Sequence, residues 1–158
     1  MTFITHKSFY AEYFYRQMNS YEKAESVQLV FSGDNYFEIL QQIIAGAKNV
    51  IHLQTYIFEE DKTGHEVAES LKNAAKRGVK IYLLADAFGS KNLSKNFIVQ
   101  MKNAGIQFRF FSPLFSSEGI RFGRRLHHKI VVADKCVALV GGINITDKYH
   151  GSVKESTA

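Results

Sequence analysis

His127-His128-Lys129-Ile130-Val131-Val132-Ala133-Asp134, followed six residues later by Gly141-Gly142-Ile143-Asn144, is the stretch on which the reading of this chain turns. It fits H-x-K-x4-D-x6-G-G-x-N without a gap. In an extended chain His127, Lys129, Val131 and Ala133 share one face and His128, Ile130 and Val132 the other, with same-face neighbours roughly 7 Å apart. One phosphate can therefore touch both His127 and Lys129. A neutral imidazole nitrogen is a competent nucleophile toward phosphorus, and an ammonium beside it holds the phosphoryl oxygens as charge builds on them. Asn144 adds a neutral donor for the same oxygens, while Gly141 and Gly142 let the backbone turn tightly and a ligand come close. Asp134 stands with Lys135 between the apolar runs 130 to 133 and 136 to 140, where Asp is a natural hairpin residue, so its expected part is mainly architectural. His128, on the opposite face, is expected to be structural. Displacing an alkoxide also requires a general acid, and one imidazole cannot be nucleophile and acid in the same step. The motif occurs once, so the chain reads as half of a phosphodiester-transferring site.

Outward from the motif, strands and helices alternate. Residues 27 to 31 read as a strand, and Asp34 is placed to cap a helix bearing Phe37, Leu40 and Ile44 at helical spacing. A strand over 50 to 58 follows, then the acidic Glu59-Glu60-Asp61, read as a solvated turn. Thr63 with Glu66 has the form of a capping box for a helix carrying Val67, Leu71, Ala74 and Ala75, ended by Gly78. Val79 to Ala85 is almost continuously apolar, as expected of a strand covered on both faces. Leu93, Phe97 and Met101 mark another helix stopping near Gly105; a strand over 106 to 111 and the hairpin 127 to 140 complete the set. Such alternation implies right-handed crossovers and a mostly parallel or mixed sheet between helices. The expected fold class is α/β.

The motif is the signature of the phospholipase D superfamily, and the likeness extends beyond it. Val27 to Gly33, Asn49 to Phe58 (NVIHLQTYIF), Gly78 to Ser90 (GVKIYLLADAFGS) and Arg124 to Lys148 resemble the N-terminal half of bacterial cardiolipin synthases. In that family two H-x-K-x4-D motifs from homologous halves meet at one active site. The resemblance implies a phospholipase D-like half with a central mixed, mostly parallel sheet flanked by helices. It also implies that His127 is the nucleophile, forming a phosphatidyl-histidine, with Lys129 and Asn144 as phosphate ligands. Asp134 completes the motif, Gly141, Gly142 and Arg125 line the substrate, and neither metal nor cofactor is called for. Gln54 stands where related synthases often carry Glu, and Leu126 where many have Asn. After Asn144 the family supplies a strand starting near a Trp and an Asp supporting the catalytic imidazole; the 14 residues that follow here hold only Glu155 as a substitute, so the domain is expected to be short at its C-terminus.

Composition fits a compact piece of that kind. With 158 residues and 46% hydrophobic content the chain can bury one sizeable core, here expected over 27–158 behind an aromatic-rich helical segment, 1–26. Phe9, Tyr10, Tyr13, Phe14 and Tyr21 suggest an amphipathic helix in that segment, packed on the domain or a partner. Cys136, the single cysteine, excludes an intramolecular disulfide and is expected to be a buried small hydrophobe. No run approaches about 18 uninterrupted apolar residues, so no spanning helix is expected and the fragment is read as soluble, while the resemblance to cardiolipin synthases implies that the protein as a whole associates with the bacterial cytoplasmic membrane. Leu114, Phe115, Ile120 and Phe122, interspersed with Arg121, Arg124 and Arg125, suit insertion at an anionic headgroup layer and equally suit an ordinary mobile loop. The net charge of +5 fits phospholipid or nucleic acid.

Phosphatidyl transfer therefore leads: attack on a phospholipid, then resolution by phosphatidylglycerol to give cardiolipin, or by water to give phosphatidic acid. Its partners are phosphatidylglycerol, a membrane surface, and a second motif supplied in cis or by a homodimer. The alternatives are a homodimeric single-motif endonuclease of the same superfamily and an inactive half-enzyme.

Overall fold

A computed structural model of the chain describes residues 26–112, 115–116, 119–120 and 125–150. Helix α1 (Gly33–Gly46) leads to strand β1 (Val50–Thr55), helix α2 (Lys62–Lys76), strand β2 (Lys80–Asp86), helix α3 (Lys95–Asn103) and strand β3 (Ile106–Phe111). A two-stranded ribbon, β4 (Phe115–Ser116) with β5 (Gly119–Ile120), precedes the hairpin of β6 (Ile130–Ala133) and β7 (Val137–Val140). The main sheet runs β3-β2-β1-β6-β7. β1 to β3 are parallel, and β6 and β7 join antiparallel on the other side of β1. This is the expected mixed α/β sheet flanked by helices.

The strands alternate because one face meets the helices. Ile51, Leu53, Ile81, Leu83, Ile106, Phe108, Val131 and Leu139 point into a core completed by Phe37, Leu40, Ile44, Val67, Leu71, Phe97 and Met101. The other face carries His52, Tyr82, Gln107 and Arg109, with the His52 and Tyr82 rings stacked 4.9 Å apart. β2, expected to be covered on both faces, is therefore covered on one: Tyr82 is 38% exposed. An apolar run can mark a strand without telling how many layers cover it.

Several boundaries differ from the sequence reading for local reasons. Residues 27 to 31 form no strand; Val27, Leu29 and Phe31 are exposed. Helix α1 is capped by Ser32, whose Oγ accepts from the Asn35 N–H at 3.2 Å, and Asp34 lies in the first turn. Asp61, not Thr63, caps α2, its Oδ1 accepting from the Gly64 N–H at 2.9 Å; Thr63 is buried within the first turn. Glu59, Glu60 and Asp61 are more than a solvated turn. Glu59 accepts from the Thr146 hydroxyl, Glu60 from the Ser94 N–H at the start of α3, and Asp61 from the Asp147 N–H. Strand β1 stops at Thr55, and beyond it a single bridge joins Phe58 to Ile145. Cys136 is exposed in the hairpin turn rather than buried. The N-terminal segment through residue 25, Leu114, Arg121, Phe122, Arg124, Glu155 and the side chains of Phe115 and Ile120 lie outside the described residues.

Candidate active site

The strand order reverses between β1 and β6, since the chain builds β1, β2 and β3 in one direction and then crosses back. A crevice outside the carboxyl ends of the strands at such a switch point is where open α/β sheets bind ligands. The Tyr56 ring meets His127 and Lys129 there, and Asn144 bonds to the neighbouring Ile57. β6 pairs antiparallel with β1, Gln54 opposite Ile130, which brings the residues before β6 beside the end of β1.

His127 and Lys129 precede the first paired residue of β6 yet keep the sidedness of an extended chain. His127 is exposed, its ring centroid 5.3 Å from that of Tyr56 at 49°. Lys129 is only 4% exposed, with its Nζ 5.5 Å from the centroid of the same Tyr56 ring and donating to the His127 carbonyl at 3.1 Å. Burial pushes the Lys129 ammonium below the usual lysine range. Among the described residues no carboxylate pairs with it. His128 turns the other way, with Nδ1 3.4 Å from Gln54 Oε1.

Asn144 is buried, and its amide is oriented from both ends. Oδ1 accepts from the Ile57 N–H at 3.1 Å, and Nδ2 donates to the Tyr149 hydroxyl at 3.3 Å. The bond to Ile57 leaves Nδ2 as the donor end. Gly141 and Gly142 are open, with nothing within 4 Å of a Cβ at either position, and the Gly141 N–H donates to the Lys129 carbonyl. Arg125 lies over the ring of Phe88, Cζ 4.7 Å from its centroid, and Lys91 Nζ is 5.4 Å from that ring. Phe88 is 44% exposed, so an accessible aromatic ring carries two cations in the turn that bonds to the residue before His127.

Asp134 stands apart from this group. Its carboxylate accepts the backbone N–H groups of Lys48 at 2.7 Å and of Asn49 and Val50 at 2.8 Å. Those bonds, led by the one from Lys48, hold the carboxyl below the usual carboxylate range. Asp134 and Lys135 both adopt left-handed backbone, φ 52° and 60°, which a tight hairpin turn requires. The sequence reading missed Tyr56, Asp86 and Tyr149. Spacing gave no sign of them, although Tyr56 and Asp86 lie in the quoted segments NVIHLQTYIF and GVKIYLLADAFGS.

Residues 40–158 match the family described as cardiolipin synthase, PLD-like domain. Cardiolipin synthase B of Salmonella typhi is 37% identical over 131 residues, a stretch covering 82% of this chain and 32% of the relative. The chain thus spans about a third of that relative's length. Among solved structures, a phosphatidylserine synthase of Haemophilus influenzae aligns with TM-score 0.62 and 19% identity, over 91% of this chain and 34% of that one. Nuc of Salmonella typhimurium, a phospholipase D family member, aligns with TM-score 0.54 and 23% identity over 71% and 66% of the two chains. At such identities the two structures establish the fold alone.

Proposed function

The chain belongs to the cardiolipin synthase, phospholipase D-like domain family, and from that premise we propose that it supplies the nucleophilic half of a phosphatidyl-transferring site. The observation that carries the reading is an accessible imidazole, His127, set beside a buried ammonium, Lys129, at the carboxyl end of the sheet.

A nitrogen of His127 attacks the phosphorus of a phospholipid. The N–P bond forms as the P–O bond to the leaving alcohol breaks, and the alcohol oxygen departs with the bonding pair. Lys129 and the Asn144 amide hold the non-bridging oxygens, where negative charge grows. A buried ammonium acts there in a low dielectric, which strengthens its pull. The glycine pair leaves room for the phosphate, and Arg125 with Lys91 favours anionic headgroups. The hydroxyl of phosphatidylglycerol, or water, then attacks phosphorus and gives its proton to the group that protonated the leaving alcohol, and the N–P bond breaks with its pair returning to the His127 nitrogen, giving cardiolipin or phosphatidic acid.

The departing oxygen needs a proton. Among the described residues no second imidazole faces His127: His52 stacks on Tyr82, His65 meets the edge of Phe97, His128 turns to Gln54, and His150 lies against Asp34 and Phe37. The acid is therefore assigned to a second motif, in cis in a longer protein or across a homodimer, working at the bacterial membrane surface. A nuclease reading draws on the net charge of +5; the 37% identity to a cardiolipin synthase favours lipid.

An activated diester tests the nucleophile without the missing acid, because 4-nitrophenolate leaves unprotonated. Bis(4-nitrophenyl) phosphate should release a burst of about one equivalent and leave an acid-labile phosphoramidate on the protein. His127→Ala should abolish both and His128→Ala should retain both; labelling that survives in the His127 variant would refute the assignment. Salt-sensitive DNA cleavage beside inertness toward phosphatidylglycerol vesicles would favour the nuclease.

A further inference from the structure

Tyr56 is the one side chain among the described residues in ring contact with both His127 and Lys129. We propose that Tyr56 is the positioning residue of this site, its ring setting the spacing of the imidazole and the ammonium, and that the Asp86–Ser90 turn in turn fixes Tyr56. The proposal rests on the phosphoryl-transfer reading of His127 and Lys129.

The geometry supports a built device rather than a chance contact. Lys129 is buried, among the described residues no carboxylate pairs with it, and its ammonium meets the His127 carbonyl and the Tyr56 ring. The negative face of an aromatic ring stabilises an ammonium without neutralising it. A carboxylate in the same place would bind the ammonium more tightly and compete with an incoming phosphate; a ring leaves its remaining N–H groups available. The same ring leans on His127 and limits where the imidazole can go.

Tyr56 is itself held through its main chain. Ser90 Oγ donates to the Tyr56 carbonyl at 3.2 Å and accepts from the Phe58 N–H at 2.9 Å, gripping the chain on either side of Ile57. At Gly89 a Cβ would collide with the Tyr56 carbonyl oxygen, so the turn lies directly on that peptide. Asp86, fully buried, shapes the turn: Oδ1 accepts from the N–H groups of Phe88 at 2.9 Å and Gly89 at 3.0 Å. Its Oδ2 accepts from the N–H of Leu126 at 2.8 Å, the residue immediately before His127. One carboxylate thus indexes both the turn that grips the Tyr56 main chain and the segment bearing the imidazole. A buried carboxylate that takes three backbone donors from two separate segments keeps them in register, because releasing any one leaves charge unsolvated.

The test compares Tyr56→Phe, which keeps the ring, with Tyr56→Leu and Tyr56→Met, which remove it, in the full chain. Two readouts are taken: the His127 ring-proton shifts by NMR, and the single-turnover rate with bis(4-nitrophenyl) phosphate. Tyr56→Phe should keep the ring-current displacement of His127 and react within about twofold of the parent. The ring-free variants should lose that displacement and react about tenfold slower at saturation, with the half-saturating concentration unchanged, the order expected when a cation–π partner is removed. Parental rates, or an unchanged His127 shift, in folded ring-free variants would overturn the proposal; a second ring-free variant guards against one that fails to fold. A parent that forms no phosphohistidine would sink the phosphoryl-transfer reading instead, and the ring-proton shifts would still decide whether Tyr56 holds His127.

Discussion

At the residue scale the site depends on a contrast between two neighbours. His127 is open to solvent while Lys129, two residues on, is 4% exposed. Since burial lowers the pKa of Lys129 and the proposed role requires the ammonium, activity should be present below that pKa and lost as pH rises through it. The alkaline limb of the burst rate should therefore fall below the usual lysine range, and Lys129→Arg should move it upward. A limb in the same place in both proteins would assign the titration to another group. Lys129→Ala should cost on the order of 100-fold in rate with a parental circular dichroism spectrum, as for loss of a transition-state charge partner. That His127 and Lys129 lie on one side was legible in the sequence, because the period of an extended chain puts alternate residues on one face, and both meet the Tyr56 ring. Tyr56 was not legible, because its contacts arise from the pairing of β1 with β6, which sets Gln54 opposite Ile130, and the neighbouring Gln54 and His128, whose side chains meet, are 74 residues apart.

Elements are joined mainly through caps and turns, and there the local signals competed. The sequence reading put the caps at Asp34 and Thr63, and the structure puts them two residues earlier, at Ser32 and Asp61; Ser, Asp and Thr all favour the position, so propensity cannot choose between them. The choice at α2 is made from outside: the Thr63 N–H donates to Asp147 Oδ1 at 2.7 Å and Asp61 receives the Asp147 N–H, so both ends of the contact are committed. Gly64 sits at this junction, where a Cβ would collide with the Glu59 carbonyl and stand 3.3 Å from the Phe58 ring. Gly64→Ala, which by helix propensity alone would stabilise, should instead cost about 1–3 kcal/mol in denaturant unfolding. A gain in stability would show that the Glu59–Asp61 turn yields more easily than its hydrogen bonds suggest. Asp134 tests the hairpin. Its carboxyl is held below the ordinary range in the fold, so its contribution should be complete above the unfolded carboxylate value and vanish as pH falls through the folded one. Asp134→Asn should lower Tm at neutral pH and narrow its difference from the parent in acid; a constant difference across pH would remove the carboxylate's charge from the account.

For the whole molecule the sheet was readable as α/β because its strands and helices alternate along the chain. The single-sided cover of β2 was not readable, since Ile81, Leu83 and Ala85 would look alike under one layer or two. Function at this scale turns on the second motif. A monomer of this chain should turn over phospholipid negligibly, and any activity should follow a two-fold dimer that brings two copies of His127 together. Sedimentation and turnover measured over the same concentration range check this, and robust lipid turnover by a monomer would contradict it. The Asp134 staple also has a consequence in time. It fastens the hairpin to Lys48, Asn49 and Val50, partners 84 to 86 residues earlier in the chain, whereas β1, β2 and β3 can assemble from successive crossovers of shorter span. Closing the longer loop costs more chain entropy, and a chain made from its N-terminus offers β1 before residue 134 has been synthesised. The histidine thus leaves synthesis after the three parallel strands against which its hairpin docks, and the nascent chain carries its reactive pair only once the strands that receive it have been made.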